Sequence, residues 1–244
     1  MGVLINHSKG TKIVLSRNIK CLAKPITEIL SSDSWEDKRC ILMGGGPSIV
    51  DFDFSLIENE LTIGVNKSFI KFPTNIVYCM DMGFYDKVSH DHPKNSKLKK
   101  LHQQWLEYKG IKVFLHRPKF KLDDSVYFVE NISNIRLSFN LEDGIFGGNN
   151  SGFGALALAI CLGATKIGLL GYSMKVDIKH RKTHWHDGYS HQDFDSMQKK
   201  LNKFKKPFQE LAITIADAGI EVVNLNENSA LDCFRKDSVT NFLR

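Results

Sequence analysis

The chain has 244 residues, 42% of them hydrophobic, 10% aromatic and 25% charged, which suits one generous α/β domain or two small ones. That balance excludes a disordered chain, a fibrous repeat and a coiled coil. The longest apolar stretch, residues 155–162, falls far short of the roughly 20 residues that cross a bilayer. A formal net charge of +6 favours an anionic partner.

Residues 1–37 read as a polar, weakly patterned N-terminal lead-in with no secretory signal, and residues 38–244 as a single domain. Residues 39–43 form a short apolar run that stops at Gly44-Gly45-Gly46-Pro47-Ser48, the pattern of a buried strand feeding a tight loop. Similar runs follow at 61–65, ending on Asn66, at 75–79, ending near Asp81, and at 112–115 and 126–129. A helix-like apolar stretch at 153–162 is closed by Gly163, a natural helix end. Residues 167–170 form another strand before Gly171, 194–218 carry helical spacing up to Gly219, and 221–224 form the last strand. Short apolar strands alternating with helices predict an α/β, Rossmann-like fold, a mostly parallel sheet with helices on both faces. In such sheets a ligand sits at the carboxyl ends of the strands, so the polar strand-end residues are expected to converge on one crevice.

Cys21, Cys40, Cys79, Cys161 and Cys233 are odd in number, scattered and without a C-x-x-C pair; they read as thiols in a reducing, cytoplasmic setting. The basic excess lies in Lys94, Lys97, Lys99 and Lys100, and in Lys199, Lys200, Lys203, Lys205 and Lys206. Each cluster fits a solvated helix face, or a surface for nucleic acid or an anionic nucleotide. Homo-oligomerisation is left open.

Three segments carry candidate chemistry. The triple glycine allows close backbone approach to a phosphate or ribose, although it is neither a Walker loop nor G-x-G-x-x-G. Asn149-Asn150-Ser151-Gly152 precedes the most apolar helix, so its backbone N–H groups form an anion site, with Ser151 as the expected N-cap. Thr183-His184-Trp185-His186-Asp187-Gly188-Tyr189-Ser190-His191 holds three histidines within eight residues; a histidine poised near neutral pH suits a general base acting on a hydroxyl. Its H-x-H spacing lacks a cysteine partner, and no metal ligand is assigned. Asp81 fits either a Mg²⁺ or ribose contact or a helix N-cap.

Met43 to Ser55 resembles the G-N-G-P-S-L-x-x-I-D-Y-S opening of bacterial sialyltransferases of glycosyltransferase family 42. Asn66 matches that family's C-N-Q position. Asn150-Ser151-Gly152 with the following helix and the run to Gly171 is similar to its T-S-G and I-Y-L-S-G stretch, and residues 226–234 to its closing P-N-S-L-L segment. The same frame is similar to the MptE-like proteins, 6-hydroxymethylpterin pyrophosphokinases that use ATP and Mg²⁺. The resemblance implies a nucleotide site built from Gly44, Gly45, Gly46, Pro47, Ser48, Asn66, Asp81, Asn150, Ser151 and Gly152. It aligns the family's S-H-Y-I-G-H-S with the histidine segment, which implies His186 as base with His184 as the other candidate. Gly45 replaces the family's asparagine, and Lys175 stands where it has a phosphate-binding tyrosine, leaving Lys175 and Tyr189 for the leaving phosphate. The implied function is a metal-independent transfer from a nucleotide-sugar donor to a glycan or other hydroxyl acceptor, with no cofactor required. The alternatives are an ATP- and Mg²⁺-dependent pyrophosphokinase and a non-catalytic nucleotide-binding accessory protein.

Overall fold

The computed structural model describes residues 21–117, 121–177, 182–186 and 193–244. Among these residues nine strands form one sheet: β1 (Lys24–Pro25), β2 (Arg39–Met43), β3 (Leu61–Val65), β4 (Ile76–Cys79), β5 (Ile111–Leu115), β6 (Tyr127–Val129), β7 (Lys166–Leu170), β8 (Glu221–Asn224) and β9 (Arg235–Lys236). Their order is β1-β6-β5-β4-β3-β2-β7-β8-β9, and every neighbouring pair is parallel.

Side chains alternate between the faces of a strand, and this alternation sorts the core. Cys40, Leu42, Tyr78, Val113 and Ile167 face one way, into a cluster shared with α3 (Ser151–Cys161) and α4 (Phe194–Asp217). Val77, Cys79 and Phe114 face the other way, beneath α1 (Met82–Ser89) and α2 (Ser96–Glu107). Ile41, Met43 and Val223 share that second face with α5 (Val239–Leu243) and the 3₁₀ turn Pro47–Ile49. The fold is thus α/β, with helices on both faces of an all-parallel sheet. Cys40, Cys79 and Cys161 are buried, as their apolar surroundings in the sequence predict.

Residues 21–37 belong to this body. Lys24 and Pro25 pair with Tyr127 and Phe128 at the sheet edge, and Ile26 and Trp35 enter the main core. The polar surface of the lead-in conceals these apolar anchors. No helix among the described residues is long and apolar enough to cross a membrane.

The order of strands fixes where a ligand can sit. From β2 the chain steps outward through β3, β4 and β5 to β6, then returns along α3 to place β7 on the opposite side of β2. Connections leave β2 and β7 in opposite directions, so the crevice between their carboxyl ends is the topological switch point of the sheet.

Candidate active site

The seam between β2 and β7 is closed by backbone contacts. Gly44 N–H donates to the Leu170 carbonyl at 2.7 Å, and Gly46 N–H to that of Gly171 at 2.8 Å. A Cβ at Gly46 would lie 2.5 Å from the Gly171 oxygen and 2.7 Å from Ser173 Oγ; one at Gly44 would lie 2.7 Å from the same carbonyl. These glycines let two strand ends touch. The N–H groups of Gly44 and Gly46 are therefore already taken, while Gly44, Gly45 and Gly46 all line the cavity, where the backbone approach expected of them would occur. Pro47 and Ser48 turn away into the 3₁₀ turn and do not line the cavity. Ser48 Oγ instead accepts from Ser173 Oγ at 3.2 Å.

The first turn of α3 forms the next wall. Its N-cap is Asn150 and not Ser151: Asn150 Oδ1 accepts from Phe153 N–H at 2.8 Å, and Ser151 is the first helical residue. The Asn150 amide donates to the Phe204 carbonyl of α4 at 3.2 Å. Pro207 interrupts the hydrogen-bond ladder of α4 just beyond, so one side chain both caps α3 and ties it to a weakened turn of α4. Ser151 and Gly152 face the cavity, where the exposed N–H groups and positive end of a buried helix favour an anion. Tyr172 OH donates to the Gly152 carbonyl at 3.1 Å.

Three further strand ends contribute. Asn66, just after β3, has φ +53°, a conformation that asparagine tolerates better than most residues. Its Oδ1 is buried with no hydrogen-bond partner among the described residues. Leaving such an acceptor unpaired costs about 1–3 kcal/mol, which an incoming donor group would recover. Asp81, after β4, caps α1 through Gly83 N–H at 2.8 Å and also lines the cavity, so both readings of it have a structural basis. Arg117, two residues past β5, stands in the wall and escaped the sequence reading.

The histidine segment supplies the next wall, beside the glycine turn. Its described part is anchored where Trp185 N–H donates to the Gly45 carbonyl at 3.1 Å. The Trp185 ring packs with the β2–α5 face of the core, and Lys71 Nζ lies 5.6 Å from its centroid. With Trp185 turned away from the cavity onto that core face, His184 and His186 both line the cavity, their rings 5.5 Å apart. A Cβ on Gly45 would stand 3.1 Å from His184 Cδ2, so this glycine provides room for an imidazole. Burial is the main cause that pushes the His184 pKa down to about 4, helped by His186, Lys200 and Lys67; at pH 7 it is neutral. Lys175 and Lys200 also line the cavity. Tyr189, Asp187 and His191 lie outside the described residues.

The resulting cavity measures about 530 Å³, within the range of small-molecule sites. It brings together Gly44, Gly45, Gly46, Asn66, Asp81, Asn150, Ser151, Gly152, Lys175, His184 and His186 from the sequence reading. Among the described residues, its lining holds the basic side chains Arg117, Lys175 and Lys200 and one carboxylate, Asp81, and no cluster of three or more potential metal-binding His, Cys, Asp or Glu residues occurs among them. No protein-family model matches this sequence, and no curated protein matches it.

Proposed function

We propose that this protein is a nucleotide-sugar-dependent glycosyltransferase that uses protein cations in place of a metal ion, with His186 as general base. The observation that carries the reading is the joining of two distant segments: the strand-end turn Gly44–Gly46 and the histidines 140 residues downstream share one cationic cavity at the switch point (Gly46 to His186). The donor's nucleotide lies along Asn66, Ser151 and Gly152. The bond from the sugar carbon to the leaving phosphate oxygen breaks with its electron pair going to that oxygen. The acceptor hydroxyl oxygen bonds to the same carbon, and its proton passes to His186. Lys175 offsets the charge on the leaving phosphate, and Tyr189 is its candidate hydroxyl donor. His184, neutral and packed against Gly45, orients its neighbour and bonds substrate rather than taking the proton.

The acceptor is a glycan or another hydroxyl compound. The five cysteines, none in a disulfide, accord with a cytoplasmic setting. The presence of Asp81 in the wall supports a second reading, an ATP-dependent pyrophosphokinase with Mg²⁺ held there.

The test is release of nucleotide from a panel of sugar donors in EDTA. Release by the wild type that His186→Ala abolishes supports the transferase. Turnover that requires ATP and Mg²⁺ supports the second reading, and tight nucleotide binding without turnover leaves a non-catalytic binding protein.

A further inference from the structure

The cations of the cavity are not evenly spread, and their placement bears on the kind of donor. Asn150, the cap of α3, is hydrogen-bonded to Phe204 of α4. Lys200 lies one helical turn before Phe204, with its Nζ 5.7 Å from that ring centroid. Lys200 therefore stands beside the α3 N-terminus on the α4 side. On the other side, Tyr78 of β4 is fully buried, with its hydroxyl so close to α3 that a Cβ on Gly154 would lie 2.3 Å from it. The Arg117 charge reaches that phenol, offsetting part of the rise that burial causes in its pKa. Arg117, two residues past β5, lines the cavity together with Ser151 and Gly152 and so flanks the same first turn from the β5 side. Lys175, on the segment after β7 and in the field of Asp232, lines the same cavity and adds a third cation.

Resting on the nucleotide-donor reading, we infer that the ligand carries a diphosphate, held over the first turn of α3 between Arg117 and Lys200. A phosphodiester donor brings one negative charge to this spot, whereas two positive side chains, drawn from different elements, converge on the positive end of a buried helix. The glycine turn reinforces the argument. With the Gly44 and Gly46 amides spent on Leu170 and Gly171, the second phosphate must be neutralised by side chains, and Arg117 forks onto two oxygens where Lys200 supplies a point charge. The leaving group of the transfer is then a nucleoside diphosphate: the sugar carbon–oxygen bond breaks with its electron pair on the β-phosphate oxygen.

Calorimetric titration of the full chain in EDTA, with the mono- and diphosphates of cytidine, uridine, guanosine and adenosine, tests this directly. For the base that binds, the diphosphate is expected to bind at least about tenfold more tightly than the monophosphate, the worth of one charge-assisted hydrogen bond. Inorganic pyrophosphate should compete better than phosphate. Arg117→Gln and Lys200→Gln should each shrink the mono-to-diphosphate ratio, with monophosphate affinity changed much less. Equal or tighter monophosphate binding by the wild type overturns the diphosphate while leaving the nucleotide reading intact, and so does a diphosphate preference that appears only with Mg²⁺. If no nucleotide binds the wild type, the parent reading itself fails. The wild-type comparison stands even if a variant does not fold.

Discussion

The two sides of the cavity are built on opposite principles. At the β2–β7 seam the chain backbone does the work: Gly44 and Gly46 lie so close to Gly171 that a single Cβ collides with backbone atoms, and the amides are already hydrogen-bonded. The rest of the wall, from the described histidine residues that rest on this turn to α4 and the end of β5, carries ionisable side chains, His184, His186, Lys200 and Arg117. The first side sets shape and cannot change its chemistry; the second carries charge and protons on groups that can be exchanged. Substitutions on the seam should therefore cost stability, and those among the ionisable side chains should cost function.

The largest effect is expected from His186→Ala, which should lower kcat by about 10²–10⁴ while leaving nucleotide affinity intact; steady-state kinetics alongside titration reads both. Gly46→Ala should act the other way, destabilising the fold by about 1–3 kcal/mol and lowering Tm by roughly 2–4 °C per kcal/mol in a domain of this size. If Gly46→Ala proves as stable as the wild type, the seam is not closed as described. Asn150→Ala sits where the two sides meet. Loss of the cap should cost about 1 kcal/mol, and because the side chain also holds the Phe204 carbonyl, protection of α4 amides around Phe204 from hydrogen exchange should fall with that of the α3 first turn. Gly45→Ala sharpens the contrast within the triple glycine, since among the described residues its Cβ meets an imidazole edge at 3.1 Å and no backbone. Stability should change by less than about 0.5 kcal/mol, while turnover falls because His184 is displaced; Gly45→Ala with wild-type turnover would break that link.

The smallest effect is a pH dependence. His184 has a pKa of about 4 in the folded chain against about 6.5 when unfolded. Between these values the unfolded state binds more protons, so stability falls as pH drops from 6.5 towards 4 and is unaffected above that window. His184→Gln should flatten the Tm-versus-pH curve there relative to the wild type. An anion bound near Lys200 offsets the positive field and raises the His184 pKa, so binding at pH 5–6 should be accompanied by proton uptake that His184→Gln reduces.

Much of this architecture was legible in the sequence. Residues 39–43, 61–65 and 221–224 are strands with the bounds their apolar runs suggest, and Gly163 and Gly219 end their helices with φ of +93° and +78°. Hydrophobic runs stopped by glycine or asparagine announce buried parallel strands with little ambiguity. The role of the triple glycine was harder to read, because a glycine that accommodates a phosphate and one that accommodates a neighbouring carbonyl look alike until the neighbour is known. The cap at Asn150 in place of Ser151 turns on one residue between two equally good capping types. Arg117 follows β5 as Asp81 follows β4, and the strand-end criterion applied to it would have found it. Lys200 was one lysine among several along α4; only the bond from Asn150 to Phe204 shows which of them faces the cavity.

A thermal-shift series with CMP, UDP, GDP, ADP and ATP, each with and without Mg²⁺, probes most directly whether the switch-point cavity is a nucleotide site, since a ligand that binds only the folded chain raises its melting temperature. The account predicts a clear rise with at least one nucleotide, present without the metal and, for a diphosphate, reduced in Arg117→Gln and in Lys200→Gln. Melting curves unmoved by all of them at millimolar concentration would contradict it.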